Sequence, residues 1–342
     1  MTRTHTRTHT PTHTGTHADT AAVVIGRNEG ARLLACLASL QEAGVAPIVY
    51  VDSGSTDGSA EAARARGAAV IALDLSRPFT AARARNAGLD HLSRLPPDQR
   101  PGHVQLVDGD CELHPGWIAE ARAFLEARPG VAVVCGRRRE RFPEATPYNR
   151  LCDWEWDTPP GETRACGGDA LMRLEALEEV GGYNPGLIAG EEPEMCLRLR
   201  QAGWTIWRLD AEMTLHDAAM TRFGQFWKRA RRAGHAFAEG AAMHGRPPEN
   251  HGRAETRRAL LWGLVLPVAI LVLAVAVSPW ALLLVALYPA QVARLARRDG
   301  GTRFAWEKAI LLTASKFAET AGILEYRWRR LMGRPSGLIE YK

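Results

Sequence analysis

Five short apolar runs place the tightest constraint on how this chain can fold. They lie at residues 21–25, 48–51, 69–73, 104–107 and 131–134, and helix-like segments at 32–41, 59–66, 81–92 and 117–127 fall between them. Strands separated by helices predict repeated βαβ units, hence an α/β domain on a Rossmann-like, mostly parallel sheet. In such sheets ligands bind where the carboxyl ends of the strands meet loops and helix starts. Two acidic loops fall on that edge: DSGSTDG from Asp52 to Gly58 after the second run, and Asp108-Gly109-Asp110 after the fourth.

The character changes after about residue 240. Residues 259–278 are 20 residues without a charge, enough as a helix to span the ~30 Å hydrocarbon core of a bilayer. Ser278 and Pro279 break the run, and 280–292 follows as a second, shorter apolar stretch. A helical hairpin over about 259–293 is expected, with a buried hairpin of a soluble protein as the alternative. Arg257 and Arg258 precede it and Arg294, Arg297 and Arg298 follow, so the positive-inside tendency puts both ends, and the catalytic domain, in the cytoplasm. Beyond it, about 304–330 spaces Ile310, Leu311, Ala314, Phe317, Ala321 and Leu324 as one amphipathic helix. That helix lies on the membrane surface or packs on the front domain. The expected division is a tail at 1–19, a catalytic domain at 20–240 and a helical membrane region at 241–342.

Charge supports the division. Residues 221–342 hold 20 Lys and Arg against 8 Asp and Glu, whereas residues 1–220 hold 23 against 30. The acidic front argues against a nucleic-acid surface, and the basic back suits contact with anionic membrane lipid. Six cysteines without CxxC pairs point to a reduced compartment and to no zinc site. The first 19 residues alternate Thr and His without an apolar core, so they read as a disordered tail and not as a signal peptide.

Asp108 and Asp110 are two carboxylates one residue apart at the end of an apolar strand. Such a pair can hold Mg²⁺ or Mn²⁺, which neutralises a diphosphate leaving group while keeping oxygen ligands. A solvated acidic turn is the bland alternative. In the Asp52 loop, small polar residues suit either a turn in which Asp57 or Ser59 caps the next helix, or a wrap around a nucleotide with Asp52 accepting from the base. Neither GxGxxG nor GxxxxGK[ST] is present, which disfavours a dinucleotide fold and a P-loop. Glu191, Glu192 and Glu194 gather at a predicted helix start, with Pro193 in its first turn, Gly203 at its end and Glu192 as N-cap. Acids there either oppose the helix dipole or supply a base.

The segments VVIGRNEG (23–30), VDSGSTDGS (51–59), ARNAG (84–88), VDGD (107–110), GGDALMR (167–173) and GEEPEMCLRLRQAG (190–203) occur in the order and spacing of inverting family 2 glycosyltransferases. The resemblance covers about residues 21–220 and implies the GT-A fold and a nucleotide-sugar donor. It implies that Asn28, Glu29 and Asp52 contact the nucleoside, with Asp57 in the same loop. Arg85 would meet the diphosphate or sugar, Asp110 would be the main metal ligand, and Asp108 would lie near ribose and metal. Glu192 stands where the family usually has the Asp that acts as general base, and either Glu191 or Glu192 fills that role here. His216 resembles the position from which some GT-A enzymes supply a further metal ligand, a satisfied surface histidine being the alternative. The basic, aromatic segment 226–232 is similar to the helix that caps the donor site, and QxxRW of processive synthases is lacking, which implies a single transfer.

The expectation is therefore a membrane-attached GT-A glycosyltransferase for cell-envelope polysaccharide or glycolipid synthesis. It would move one sugar from a UDP- or GDP-linked donor to a saccharide, lipid or lipid-linked saccharide acceptor. Two rivals use the same features: a nucleotidyltransferase, and a non-catalytic nucleotide-sugar binding protein.

Overall fold

The computed structural model describes residues 19–334, so all of the predicted tail except Asp19 lies outside the described residues. The first half alternates as expected: β1 (Thr20–Gly26), α1 (Ala31–Glu42), β2 (Ile48–Asp52), α2 (Ser59–Ala65), β3 (Ala69–Ala72), α3 (Ala81–Ser93) and β4 (His103–Asp108). There follow β5 (Cys111–Leu113), α4 (Trp117–Glu126), β6 (Val131–Glu140), α5 (Pro147–Trp156), β7 (Gly161–Thr163), β8 (Ala170–Arg173), α6 (Leu174–Glu179), α7 (Glu191–Gln201) and β9 (Thr205–His216).

These strands form one sheet in the order β3-β2-β1-β4-β8-β6-β9-β5, with β7 also on β9. β3, β2, β1 and β4 are parallel neighbours, whereas β8 runs antiparallel between β4 and β6. Val23, Val24, Val49, Val51, Leu106, Val133 and Val134 are fully buried. Strands covered on both faces read as unbroken apolar runs, which is why the sequence shows them. Local signals start several helices: Thr80 accepts from Arg83 N at 3.2 Å before α3, and Thr146 from Asn149 N at 3.1 Å before α5.

The register fixes where the loops emerge. Gly26 pairs with Asp52 and Ile25 with Asp108, so the acidic loops flank the end of β1. On the other side, β6 and β9 run long and irregular past Gly136, and their outer halves pair Arg138 with Thr214 and Glu140 with His216. β9 also pairs His216 with Cys111 of β5. His216 thus ends a 12-residue strand.

The C-terminal part is helical: α8 (Phe223–His244), α9 (Arg253–Leu260), a π-helical turn (Leu261–Val265), α10 (Leu266–Ala276), a 3₁₀ stretch (Pro279–Ala286), α11 (Leu287–Arg298) and α12 (Arg303–Leu331). Residue 240, the expected domain division, falls inside α8. Two continuous helical segments, Arg253–Ala276 and Pro279–Arg298, are long and apolar enough to cross a membrane, and little of either is buried. α12 packs along α8, but of the apolar positions that mark it in the sequence only Leu311 is buried, against Phe226 of α8. The rest of its buried face includes Ala305, Ala309, Ala318, Gly322 and Ile323 with Lys308 and Glu319, while Ile310, Phe317 and Leu324 stay exposed.

The α8–α12 crossing leaves no room for a side chain at its centre. A Cβ on Gly322 would stand 2.0 Å from Arg231 O, and one on Gly234 2.0 Å from Glu319 O. Because those contacts are backbone, Gly322→Ala is expected to destabilise the protein by about 1–3 kcal/mol, as overpacking does. Gly224→Ala, in the partner helix α8 with nothing within 4 Å, is the control. Thermal unfolding in detergent checks this, and equal Tm values for the two variants would refute it.

Candidate active site

Arg85 holds the centre of the site from the first turns of α3, with 2% of its surface exposed. Nη2 donates to Asp108 Oδ1 at 2.9 Å, and Nη1 donates to Glu191 Oε1 at 2.9 Å and Glu192 Oε1 at 2.8 Å. One side chain thus draws the end of β4 and the start of α7 to a common point. α7 begins at Glu191, preceded by Gly190 in a left-handed conformation at φ 78°. Glu192 therefore lies in the first turn and is not the N-cap the sequence suggested.

Arg138, which sequence reasoning did not single out, closes the opposite side. Its Nη2 donates to Asp108 Oδ2 at 3.0 Å and to Cys111 Sγ at 2.9 Å, and Nε stands 3.4 Å from Asp169 Oδ2. The guanidinium lies 5.0 Å over the Trp156 ring. Fully buried Asp169 was also missed; it accepts from Asp108 N at 3.0 Å and Thr214 Oγ1 at 2.7 Å. The available signals were the Arg137–Arg139 run ending an apolar strand and the acid inside GGDALMR. Gly168 keeps the floor open, since a Cβ there would stand 2.8 Å from Arg85 Nη2 and 3.0 Å from Asp108 Oδ2.

Asp110, in the β4–β5 turn, and His216, at the end of β9, face each other, Oδ2 to Nε2 at 3.4 Å. The other ring nitrogen, Nδ1, is 3.3 Å from Glu140 Oε2. Trp156 meets the ring edge-on at 4.8 Å between centroids. A cleft of about 1150 Å³ opens on Asp108, Asp110, Glu191, Glu192 and His216 and extends to Phe237 on α8 and Glu319 on α12.

The remaining predicted residues lie in the loops after β1 and β2. Asn28, at φ 57°, donates its N–H to Ser55 Oγ at 2.9 Å and accepts from Thr56 N at 2.8 Å, tying the first loop to the second. Glu29 lines the cleft and pairs with Arg32 at 2.8 Å. Asp52 accepts from Tyr50 Oη at 3.1 Å and from Gly54 N and Ser55 N at 3.1 and 3.0 Å. It organises its loop, and its neighbour Ser53 is what reaches the cleft. Asp57 stands apart: it accepts from Ser59 N at 3.0 Å and does not line the cleft. The N-cap of α2 is Gly58, not Asp57 or Ser59.

Two guanidiniums here serve four carboxylates: Asp108, Asp169, Glu191 and Glu192. Burial alone would raise Asp108, but Arg85 and then Arg138 hold it well below the usual carboxylate range. Glu192 goes the other way, pushed up to about 7 by burial and by Glu191, against the pull of Arg85. Burial and then Arg138 lower His216, against Glu140, and keep it neutral. A neutral imidazole has one N–H for two facing carboxylates, so one ring nitrogen turns its lone pair toward an acid. A cation at Asp110 and Nε2 removes that conflict.

The side chains thus fit a divalent ion through one carboxylate oxygen and one imidazole nitrogen, a donor set suited to Mn²⁺ or Mg²⁺. Cys111 Sγ lies within 4.8 Å of both donor atoms, yet burial pushes its thiol well up, leaving it a poor ligand. Asp108, Cys111 and Asp169 also cluster, but Arg138 contacts all three and occupies that place. Asp108, expected near the metal, has both oxygens committed to arginines.

Residues 22–181 match the family model described as glycosyl transferase family 2. The succinoglycan biosynthesis protein ExoA of Rhizobium meliloti is 26% identical over 194 residues, 54% of this chain and 57% of that protein. Glycosyltransferase AglE of Haloferax volcanii is 24% identical over 195 residues, 55% of this chain and 61% of that one. The chain therefore spans about three fifths of the length of these curated relatives. Among solved structures, mannosyltransferase PcManGT from Pyrobaculum calidifontis, in complex with GDP-Man and Mn²⁺, superposes with a TM-score of 0.61 at 22% identity. That likeness covers 90% of this chain and 87% of PcManGT, so it extends into the C-terminal helices.

Proposed function

With residues 22–181 belonging to glycosyltransferase family 2, we propose that this protein is an inverting, membrane-attached glycosyltransferase. It moves one sugar from a UDP- or GDP-linked donor to a hydroxyl on a lipid or lipid-linked saccharide, in cell-envelope polysaccharide or glycolipid synthesis. One observation carries the reading: Arg85 ties Asp108 of β4 to Glu191 and Glu192 of α7 beside the facing Asp110 and His216.

In this reading the loops joined through Asn28 receive the nucleoside, with Asp52 fixing the second loop. Arg85 faces the diphosphate and the sugar. Asp110 and His216 would hold a divalent ion, which would supply charge neutralisation for the departing nucleoside diphosphate. Glu192 takes the proton from the acceptor hydroxyl as that oxygen attacks the anomeric carbon from the face opposite the leaving group. Its raised pKa suits proton transfer near neutral pH, and Arg85 orients it. The unburied apolar helices 253–276 and 279–298, with the exposed Ile310, Phe317 and Leu324 of α12, support attachment to a membrane. Arginines at both ends of that pair, Arg257, Arg258, Arg294, Arg297 and Arg298, favour a cytoplasmic catalytic domain.

The full chain in lipid nanodiscs, given Mn²⁺, a lipid extract and radiolabelled UDP- and GDP-sugars, tests this. GDP-mannose belongs in the panel because PcManGT, which shares the fold, was solved with it. Label in the organic phase with release of nucleoside diphosphate is expected. Release of pyrophosphate would make the protein a nucleotidyltransferase instead, and Mn²⁺-dependent nucleotide binding without transfer to any extract would make it a binding protein.

A further inference from the structure

Glu140 is a carboxylate whose side chain is fully buried, and the site described above gives it no task. It ends β6, opposite His216 on β9, and His216 in turn lies opposite Cys111 on β5. Three adjacent strands therefore set Glu140, His216 and the residue after Asp110 in a row. Oε2 of Glu140 lies 3.3 Å from His216 Nδ1 and accepts from Ala218 N at 3.0 Å. Oε1 accepts from Asn149 Nδ2 and Phe142 N, both at 3.3 Å. No arginine or lysine pairs with Glu140 among the described residues, and a buried carboxylate without a cationic partner is retained against the cost of its desolvation.

We infer that Glu140 is the positioning residue for His216, accepting the hydrogen bond of Nδ1–H so that Nε2 is held toward Asp110 as a metal-ligating nitrogen. A histidine that binds a metal through one nitrogen commonly donates its other N–H to a carboxylate, which fixes the ring and raises its basicity. The same carboxylate accepts from Ala218 N, so it also anchors the chain two residues beyond the ring. The ring has little freedom left, with Glu140 on one nitrogen, Asp110 on the other and Trp156 against its face. This inference rests on the proposed cation site at Asp110 and His216, and the experiment separates the two.

Mn²⁺ affinity of the full chain is measured by electron paramagnetic resonance without donor or acceptor, so the readout does not depend on turnover. Glu140→Gln keeps the side-chain shape and is expected to weaken Mn²⁺ binding about 10–100-fold. His216→Ala weakens it at least as much, and adding Glu140→Gln to His216→Ala brings no further loss, because the two act through one nitrogen. Asn149→Ala removes a different contact of Glu140 and is expected to lower Tm with Mn²⁺ affinity unchanged. Equal losses of affinity in Glu140→Gln and Asn149→Ala would reduce Glu140 to a fastener of the fold and overturn the inference. So would unchanged affinity in Glu140→Gln when His216→Ala has lost it. If His216→Ala itself binds Mn²⁺ as wild type does, the cation-site reading fails first, and the role of Glu140 with it.

Discussion

Replacing Asp110 by Ala is expected to lower kcat/KM for sugar transfer about 10³-fold, roughly 4 kcal/mol of transition-state stabilisation. The carboxylate sits at the β4–β5 turn, 6% exposed and facing His216 Nε2. Its removal leaves one imidazole to hold a divalent ion, and the diphosphate leaves with its charge less compensated. Mn²⁺ affinity should fall with activity, and raising Mn²⁺ should restore part of the loss. Asp108→Ala serves as the contrast, because that carboxylate joins Arg85 to Arg138. Its loss turns two guanidiniums loose in one site, so a lower Tm is expected together with the lower rate. Undiminished transfer by Asp110→Ala, measured as initial rate at saturating donor, would take the metal role away from this residue.

The front of the molecule was legible because its strands are buried on both faces. Val23, Val49 and Leu106 belong to runs that no surface strand would show, and the acidic loops follow those runs directly. Elements that owe their place to distant pairing were not legible. β8 is four residues that insert between β4 and β6, and β5 is three residues that exist because β9 lies beside them. The residues missed at the site belong to the same class. Arg138 and Glu140 reach it because β6 shifts register against β9 around Gly136, where a Cβ would stand 2.7 Å from Ala211 O. The partner that gives Glu140 its meaning lies 76 residues away. α12 shows another limit of pattern reading: its apolar residues keep helical period, but the face that packs is mostly small and polar, with Leu311 and Ile323 as its large apolar members. Close helix approach needs small side chains, and Ile310, Phe317 and Leu324 are left facing outward. Asp52 and Asp57 also show that a motif residue can serve its loop's own hydrogen bonds, something composition does not distinguish from touching a ligand.

Glu192→Gln is expected to reduce kcat by about 10²–10⁴-fold, the range for loss of a general base, while leaving Mn²⁺ affinity near that of the wild type. Both glutamates share Arg85 Nη1, but only Glu192 has a substantial part of its side chain, 16%, open to the cleft, against 5% for Glu191. Glu191→Gln is therefore expected to act mainly through the position of Arg85, with a smaller loss. The pH profile supplies a second reading of the same claim. Burial and Glu191 push the Glu192 carboxyl up to about 7, so below that pH it is protonated and cannot accept the hydroxyl proton. kcat/KM for the donor should fall about tenfold per unit of pH below about 7 and level off above it, whereas the residual activity of Glu192→Gln should lack that limb. Stability runs the opposite way: a carboxyl raised in the folded state binds its proton more tightly than in the unfolded chain. Its contribution is full at low pH and fades as pH rises through about 7. Glu192→Gln should accordingly melt no lower than wild type at pH 8 even as it loses activity, since a base held partly against its preferred solvation trades stability for reactivity. If Glu191→Gln removes the acid limb and Glu192→Gln keeps it, the base is Glu191, and Glu192 is the residue that tunes it.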